Sequence, residues 1–101
     1  EKVYTFEPIP AKFTPAQEKL VLGCQAQLWS EYIYNGNKLE YMAFPRVCAL
    51  AEVAWSANKN RSWAEFEPRL NAQLKRLDAL KVNYHRNDGT PAVTDKLGRG
   101  E

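Results

Sequence analysis

Across residues 39–55 the apolar side chains, Leu39, Met42, Phe44, Val47, Leu50, Val53 and Trp55 among them, surround a helix instead of forming one stripe. A helix that is apolar on every side is one enclosed by protein, so any fold open to this chain must bring covering elements to this stretch. Pro45 interrupts it. Proline lacks the N–H that a helix interior uses and clashes with the preceding turn, which predicts a kink, or a second helix starting after Phe44.

The flanking sequence supplies shorter elements. Residues 3–10 read as a proline-bounded loop, and Thr14-Pro15-Ala16-Gln17 as a helix start: Thr14 caps, Pro15 suits the first position and Gln17 reaches back. Gly23 keeps that helix short. From Cys24 onward apolar residues alternate with Gln25 and Gln27, which predicts a strand over residues 20–29 with one buried face and one amide-bearing face. Asn35-Gly36-Asn37 is turn chemistry, with Asn37 as the expected cap of the next helix.

Downstream, Ser62 and Glu65 have the spacing of a capping box, and Phe66, Leu70, Leu74, Leu77 and Leu80 trace one helical face in which Pro68 predicts a bend. After Tyr84 the apolar period stops. The expected fold class is therefore mainly α with one or two short strands, folded over residues 1–89, with a flexible tail over residues 90–101.

Bulk properties exclude several functions. A net charge of +2 with interleaved signs leaves no basic footprint, so neither nucleic acid nor an anionic lipid surface is an expected partner. No apolar run approaches the roughly 20 residues of a membrane span. Cys24 and Cys48 have no zinc-like spacing and read as free buried thiols, so neither a metal nor a cofactor is expected.

No reaction centre is legible in the residues themselves. The single histidine, His85, lies in a polar run and reads as a surface residue, and there is no nucleophile turn, glycine-rich phosphate loop or adjacent pair of carboxylates. What stands out is Leu28-Trp29-Ser30-Glu31 at the end of the predicted strand. Residues two apart in an extended chain share a side, so Trp29 and Glu31 would present an indole and a carboxylate together. That pairing suits a sugar: the ring's C–H face lies on the aromatic plane while the carboxylate accepts from hydroxyls.

The run Val21-Leu22-Gly23-Cys24-Gln25-Ala26-Gln27-Leu28-Trp29-Ser30-Glu31 resembles a segment of the β-N-acetylhexosaminidases of glycoside hydrolase family 20, Gly-Gly-Gln-Ala-x-Leu-Trp-Thr-Glu. Glu40-Tyr41-Met42-Ala43-Phe44-Pro45-Arg46 and then Ala49-Leu50-Ala51-Glu52-Val53-Ala54-Trp55-Ser56 are similar to that family's next block, and Val3-Tyr4-Thr5-Phe6-Glu7-Pro8 to the loop before it. The departures are Cys24, in place of the second glycine, and Ser30, where threonine is common.

This resemblance implies the C-terminal part of a (β/α)8 barrel, with residues 20–29 as its eighth strand and an active site at the strands' carboxyl ends. It implies substrate-binding roles for Trp29, as a wall of the pocket for a terminal N-acetylhexosamine, and for Glu31, as acceptor for the hydroxyls on carbons four and six. It assigns catalysis to an Asp-Glu dipeptide that this sequence does not contain. The expectation is thus an inactive segment whose intact parent cleaves amino-sugar glycans in a periplasmic, secreted or lysosomal-type compartment. Met42, Phe44, Pro45, Leu50 and Trp55 are expected to pack helices on the barrel, and Arg46 to pair with Glu52 or Glu40. Separated from its surroundings, such a segment is expected to self-associate. The competing readings are a free-standing helical protein-interaction module, and a small carbohydrate-binding module using Trp29.

Overall fold

The computed structural model describes residues 1–88, so the tail expected over residues 90–101 lies outside the described residues. Four α-helices are present among them: α1 (Pro15–Glu18), α2 (Gly36–Ala43), α3 (Arg46–Trp55) and α4 (Trp63–Ala79), with 3₁₀ turns at Ser30–Tyr32 and Asn58–Asn60.

Helix ends follow local chemistry. Thr14 Oγ1 accepts from the Gln17 backbone at 3.3 Å and Gln17 Oε1 accepts from the Thr14 backbone at 2.8 Å, completing the expected capping box of α1. Helix α2 is capped by Asn35, not Asn37: the Asn35 side chain accepts from the Lys38 N–H at 2.8 Å, and this starts the helix at Gly36. It stops before Pro45, whose ring drives Phe44 out of the helical region to ψ 142°, and α3 begins directly after, as the proline predicts. Arg46 pairs with neither Glu52 nor Glu40. Its guanidinium instead donates to the orphan carbonyls of Tyr41 and Met42, at 3.0 and 2.9 Å, at the end of α2.

Ser62 is the N-cap of α4, but its side chain makes no capping bond, so the expected Ser62–Glu65 box is not formed. The helix continues unbroken through Pro68. It closes with Lys81 at φ 58°, where the N–H of Lys81 reaches the Asp78 carbonyl and that of Val82 the Leu77 carbonyl, both at 2.9 Å. These two bonds satisfy the last carbonyls as a Schellman end does, at a cost of roughly 1–2 kcal/mol for a left-handed lysine.

The core lies where α3, α4 and the amino-terminal loop meet. Tyr4, Ala49, Val53, Phe66 and Leu70 form it, with Val3, Cys48 and Trp63 packed against it. Tyr4 stacks on Phe66 with centroids 4.7 Å apart and meets Trp63 edge-on at 5.4 Å, so a loop residue is wedged into the helix layer. On α4, Phe66, Leu70 and Leu77 are buried as the periodicity predicts, whereas Leu80 is 72% exposed.

Two expectations change here. No strand is present among the described residues: residues 21–29 run without helix, turn or bend, and 22–28 make no backbone–backbone hydrogen bond within the described chain. A strand is defined by its neighbour's ladder, and none of the described elements offers one. The stretch over residues 39–55 is likewise not enclosed, since Leu39, Val47 and Trp55 are exposed, Trp55 at 94%. Helix α4 and the amino-terminal loop cover only the side of α3 that carries Ala49 and Val53.

Candidate functional site

Residues 21–24 lie across from the loop at residues 7–9 and the end of α3, and together they bound a cleft of about 250 Å³ that includes Val21, Cys24, Val53, Ala54 and Arg61. Arg61 fastens the loop. Its guanidinium pairs with the Glu7 carboxylate and donates to the Phe6 carbonyl at 3.2 Å, with the side chain only 7% exposed. Sequence reasoning missed this clamp because its partners are more than fifty positions apart and neither belongs to a local motif.

Beyond the cleft the run continues outward to Trp29, which is 74% exposed, and Glu31, also exposed. Trp29 is extended, at φ −80° and ψ 128°, but Glu31 sits inside the 3₁₀ turn closed by the Ile33 N–H on the Ser30 carbonyl at 3.1 Å. The expectation that both leave one strand on one side therefore does not hold in this form: the chain leaves the extended direction at Ser30, and each residue of the turn advances by a third of a turn instead of a half. The two side chains remain two positions apart at the end of the run. Tyr32 and Tyr34, at 75% and 59% exposed, add aromatic surface beside them.

Charged groups elsewhere tie helices together. Arg69 on α4 holds Glu52 on α3 with two bonds, at 3.0 and 2.6 Å, and this guanidinium keeps the Glu52 carboxyl below its usual range. After α4, Arg86 bonds Asp78 at 2.6 Å and the Tyr84 hydroxyl at 2.6 Å while lying 4.3 Å over the Tyr84 ring. Arg86 lowers the Asp78 carboxyl, and burial raises the Tyr84 phenol. His85 is half-buried instead of a surface residue: its backbone N–H donates to the Phe44 carbonyl at 2.9 Å, and its ring lies 5.0 Å from that of Tyr41. Cys24 and Cys48 are free thiols, and burial pushes that of Cys48 up. Among the described residues no group of three or more His, Cys, Asp or Glu side chains is placed to hold a metal ion. No helix among them is long and apolar enough to cross a membrane.

Residues 1–58 match the family described as glycosyl hydrolase family 20, catalytic domain. A β-hexosaminidase of Porphyromonas gingivalis is 39% identical over 85 residues, covering 84% of this chain and 11% of that protein. One from Akkermansia muciniphila is 38% identical over 83% of this chain and 17% of its own length. Among solved structures, an inactive mutant of the family 20 exo-β-N-acetylglucosaminidase of Vibrio harveyi superposes with a TM-score of 0.72 at 38% identity, over 82% of this chain and 13% of that one. The family 20 β-N-acetylhexosaminidase of Streptomyces coelicolor also gives 0.72, at 31% identity, over 88% and 18%. The matched region falls in the part of that family described as its catalytic domain. The chain belongs to glycosyl hydrolase family 20, and it spans under a fifth of the length of these relatives.

Proposed function

We propose that this chain, over residues 1–89, is the C-terminal segment of the catalytic (β/α)8 barrel of a β-N-acetylhexosaminidase, which releases terminal non-reducing N-acetylglucosamine or N-acetylgalactosamine. The observation that carries the reading is the run at residues 22–29. Seven residues in succession, 22–28, make no backbone–backbone hydrogen bond within the described chain, although the same chain superposes on family 20 enzymes at a TM-score of 0.72. Unpaired backbone groups are costly once buried, and pairing on both sides is what a barrel strand obtains from its neighbours. Residues 20–29 then act as a barrel strand, and Leu22, 98% exposed here, is covered on assembly.

In that setting Trp29 stands at the carboxyl end of the strand, where barrel enzymes carry their sites. Its indole walls the sugar pocket and Glu31 accepts from the hydroxyls on carbons four and six. In substrate-assisted hydrolysis the sugar's acetamido oxygen attacks the anomeric carbon as the glycosidic bond breaks, and an acid protonates the leaving oxygen. Water then opens the cyclic intermediate and releases the sugar with retained configuration. The acid and the residue orienting the acetamido group are an Asp-Glu pair on another strand, so Trp29 and Glu31 bind and the segment alone does not catalyse. By itself it self-associates through its exposed apolar residues.

A chromogenic N-acetylglucosaminide tests this reading. The full-length protein is expected to turn it over and the 101-residue chain to leave it intact. Turnover by the chain alone, or none by the full-length protein, contradicts the proposal.

A further inference from the structure

The extended run has two unlike sides. Over residues 24–29 only Cys24 is half-buried, and it lines the cleft with Val53 and Ala54, so over this part of the run its side faces α3. Side chains alternate along an extended chain, which puts Gln25, Gln27 and Trp29 in one row on the opposite side, and all three are exposed. In a barrel the side turned away from the helices is the interior. Two carboxamides thus enter that interior beneath the indole, where an amide without a partner is unfavourable.

Depth separates the two. At about 3.3 Å per residue, Gln27 lies roughly 6.6 Å below Trp29 along the strand and Gln25 roughly 13 Å below. A glutamine side chain can reach a ligand held against the indole from the first of these rows, but not from the second. We propose that Gln27 is a further substrate-contacting residue, whose carboxamide hydrogen-bonds a polar substituent of the amino sugar held against Trp29, while Gln25 belongs to the packing layer beneath. This rests on the reading of residues 20–29 as a barrel strand and of Trp29 as the pocket wall.

The test uses the full-length enzyme. Gln27→Met keeps the length of the side chain and removes its donor and acceptor. KM for an N-acetylglucosaminide is expected to rise on the order of tenfold, with a matching loss of affinity for N-acetylglucosamine itself and an unchanged melting temperature, since a lost hydrogen bond to ligand does not disturb the unliganded fold. Gln25→Met is expected to leave KM within about twofold, and Gln27→Glu, which keeps acceptor oxygens, to recover part of the loss. If Gln27→Met fails to fold, Gln27→Glu measured against Gln25→Glu carries the test: a KM closer to that of the unsubstituted enzyme for the first than for the second is a contradiction.

Trp29→Ala in the same background distinguishes the failures. An unchanged KM for Gln27→Met beside a raised KM for Trp29→Ala overturns the role of Gln27 alone. Unchanged values for both overturn the pocket reading with it. Equal rises for Gln25→Met and Gln27→Met mark a general effect of interior polarity and also overturn the proposal.

Discussion

Phe66→Ala in this chain is expected to abolish the cooperative unfolding transition followed by far-UV circular dichroism in urea. Phe66 is 4% exposed, stacks on Tyr4 and meets Trp63, so its removal takes away the ring on which the loop, α3 and α4 converge. Deleting a buried phenylalanine costs about 3–5 kcal/mol, and a domain of this size has only about 5–15 kcal/mol in total. The core here holds few buried residues, which puts the chain toward the lower end of that range. Trp55→Ala is the matched control: at 94% exposure its loss is expected to shift stability by under about 0.5 kcal/mol. Equal effects of the two substitutions would contradict this placement of the core.

In the full-length protein, Trp29→Ala is expected to lower kcat/KM for an N-acetylglucosaminide by about fivefold or more. The figure follows from a stacking contribution of at least about 1 kcal/mol, with each 1.36 kcal/mol worth a factor of ten in rate. The indole lies 74% exposed in this chain and makes no ring contact with another aromatic group of the described residues, so the substitution leaves the core intact and its effect reports on the pocket. Trp29→Phe, which keeps an aromatic face, is expected to recover part of the loss. Steady-state kinetics of the three proteins decide it, and unchanged kinetics for Trp29→Ala remove the residue from the pocket.

What the sequence disclosed and what it concealed divide along the range of the interactions involved. Thr14 with Gln17, the break at Pro45 and the buried positions Phe66, Leu70 and Leu77 were readable because each depends on neighbours within a turn or two of helix. Arg61 with Glu7, Arg69 with Glu52 and the wedge of Tyr4 were not, because each joins segments whose approach only the folded chain determines. The charge of Arg46 points toward carboxylates, but the carbonyls left open at the end of α2 take its guanidinium.

The run at residues 20–29 shows a different limit. Its alternation predicted a strand, yet a strand is a property of pairs, and the described residues bring no second edge to it. The same alternation still separates a helix-facing side at Cys24 from an amide-bearing side that ends at Trp29, and that is the information the site depends on. Glu31 illustrates the converse. Its place in the motif was legible, but the 3₁₀ turn that carries it was not, since Ser30-Glu31-Tyr32 contains no proline or glycine to announce a turn.

The most direct measurement is a crystal structure of the full-length enzyme with N-acetylglucosamine bound. Residues 22–29 are expected to be hydrogen-bonded to strands on both sides, with the sugar ring against the Trp29 indole and the Glu31 carboxylate on its outer hydroxyls. A sugar bound elsewhere, with Trp29 and Glu31 out of contact with it, contradicts the account.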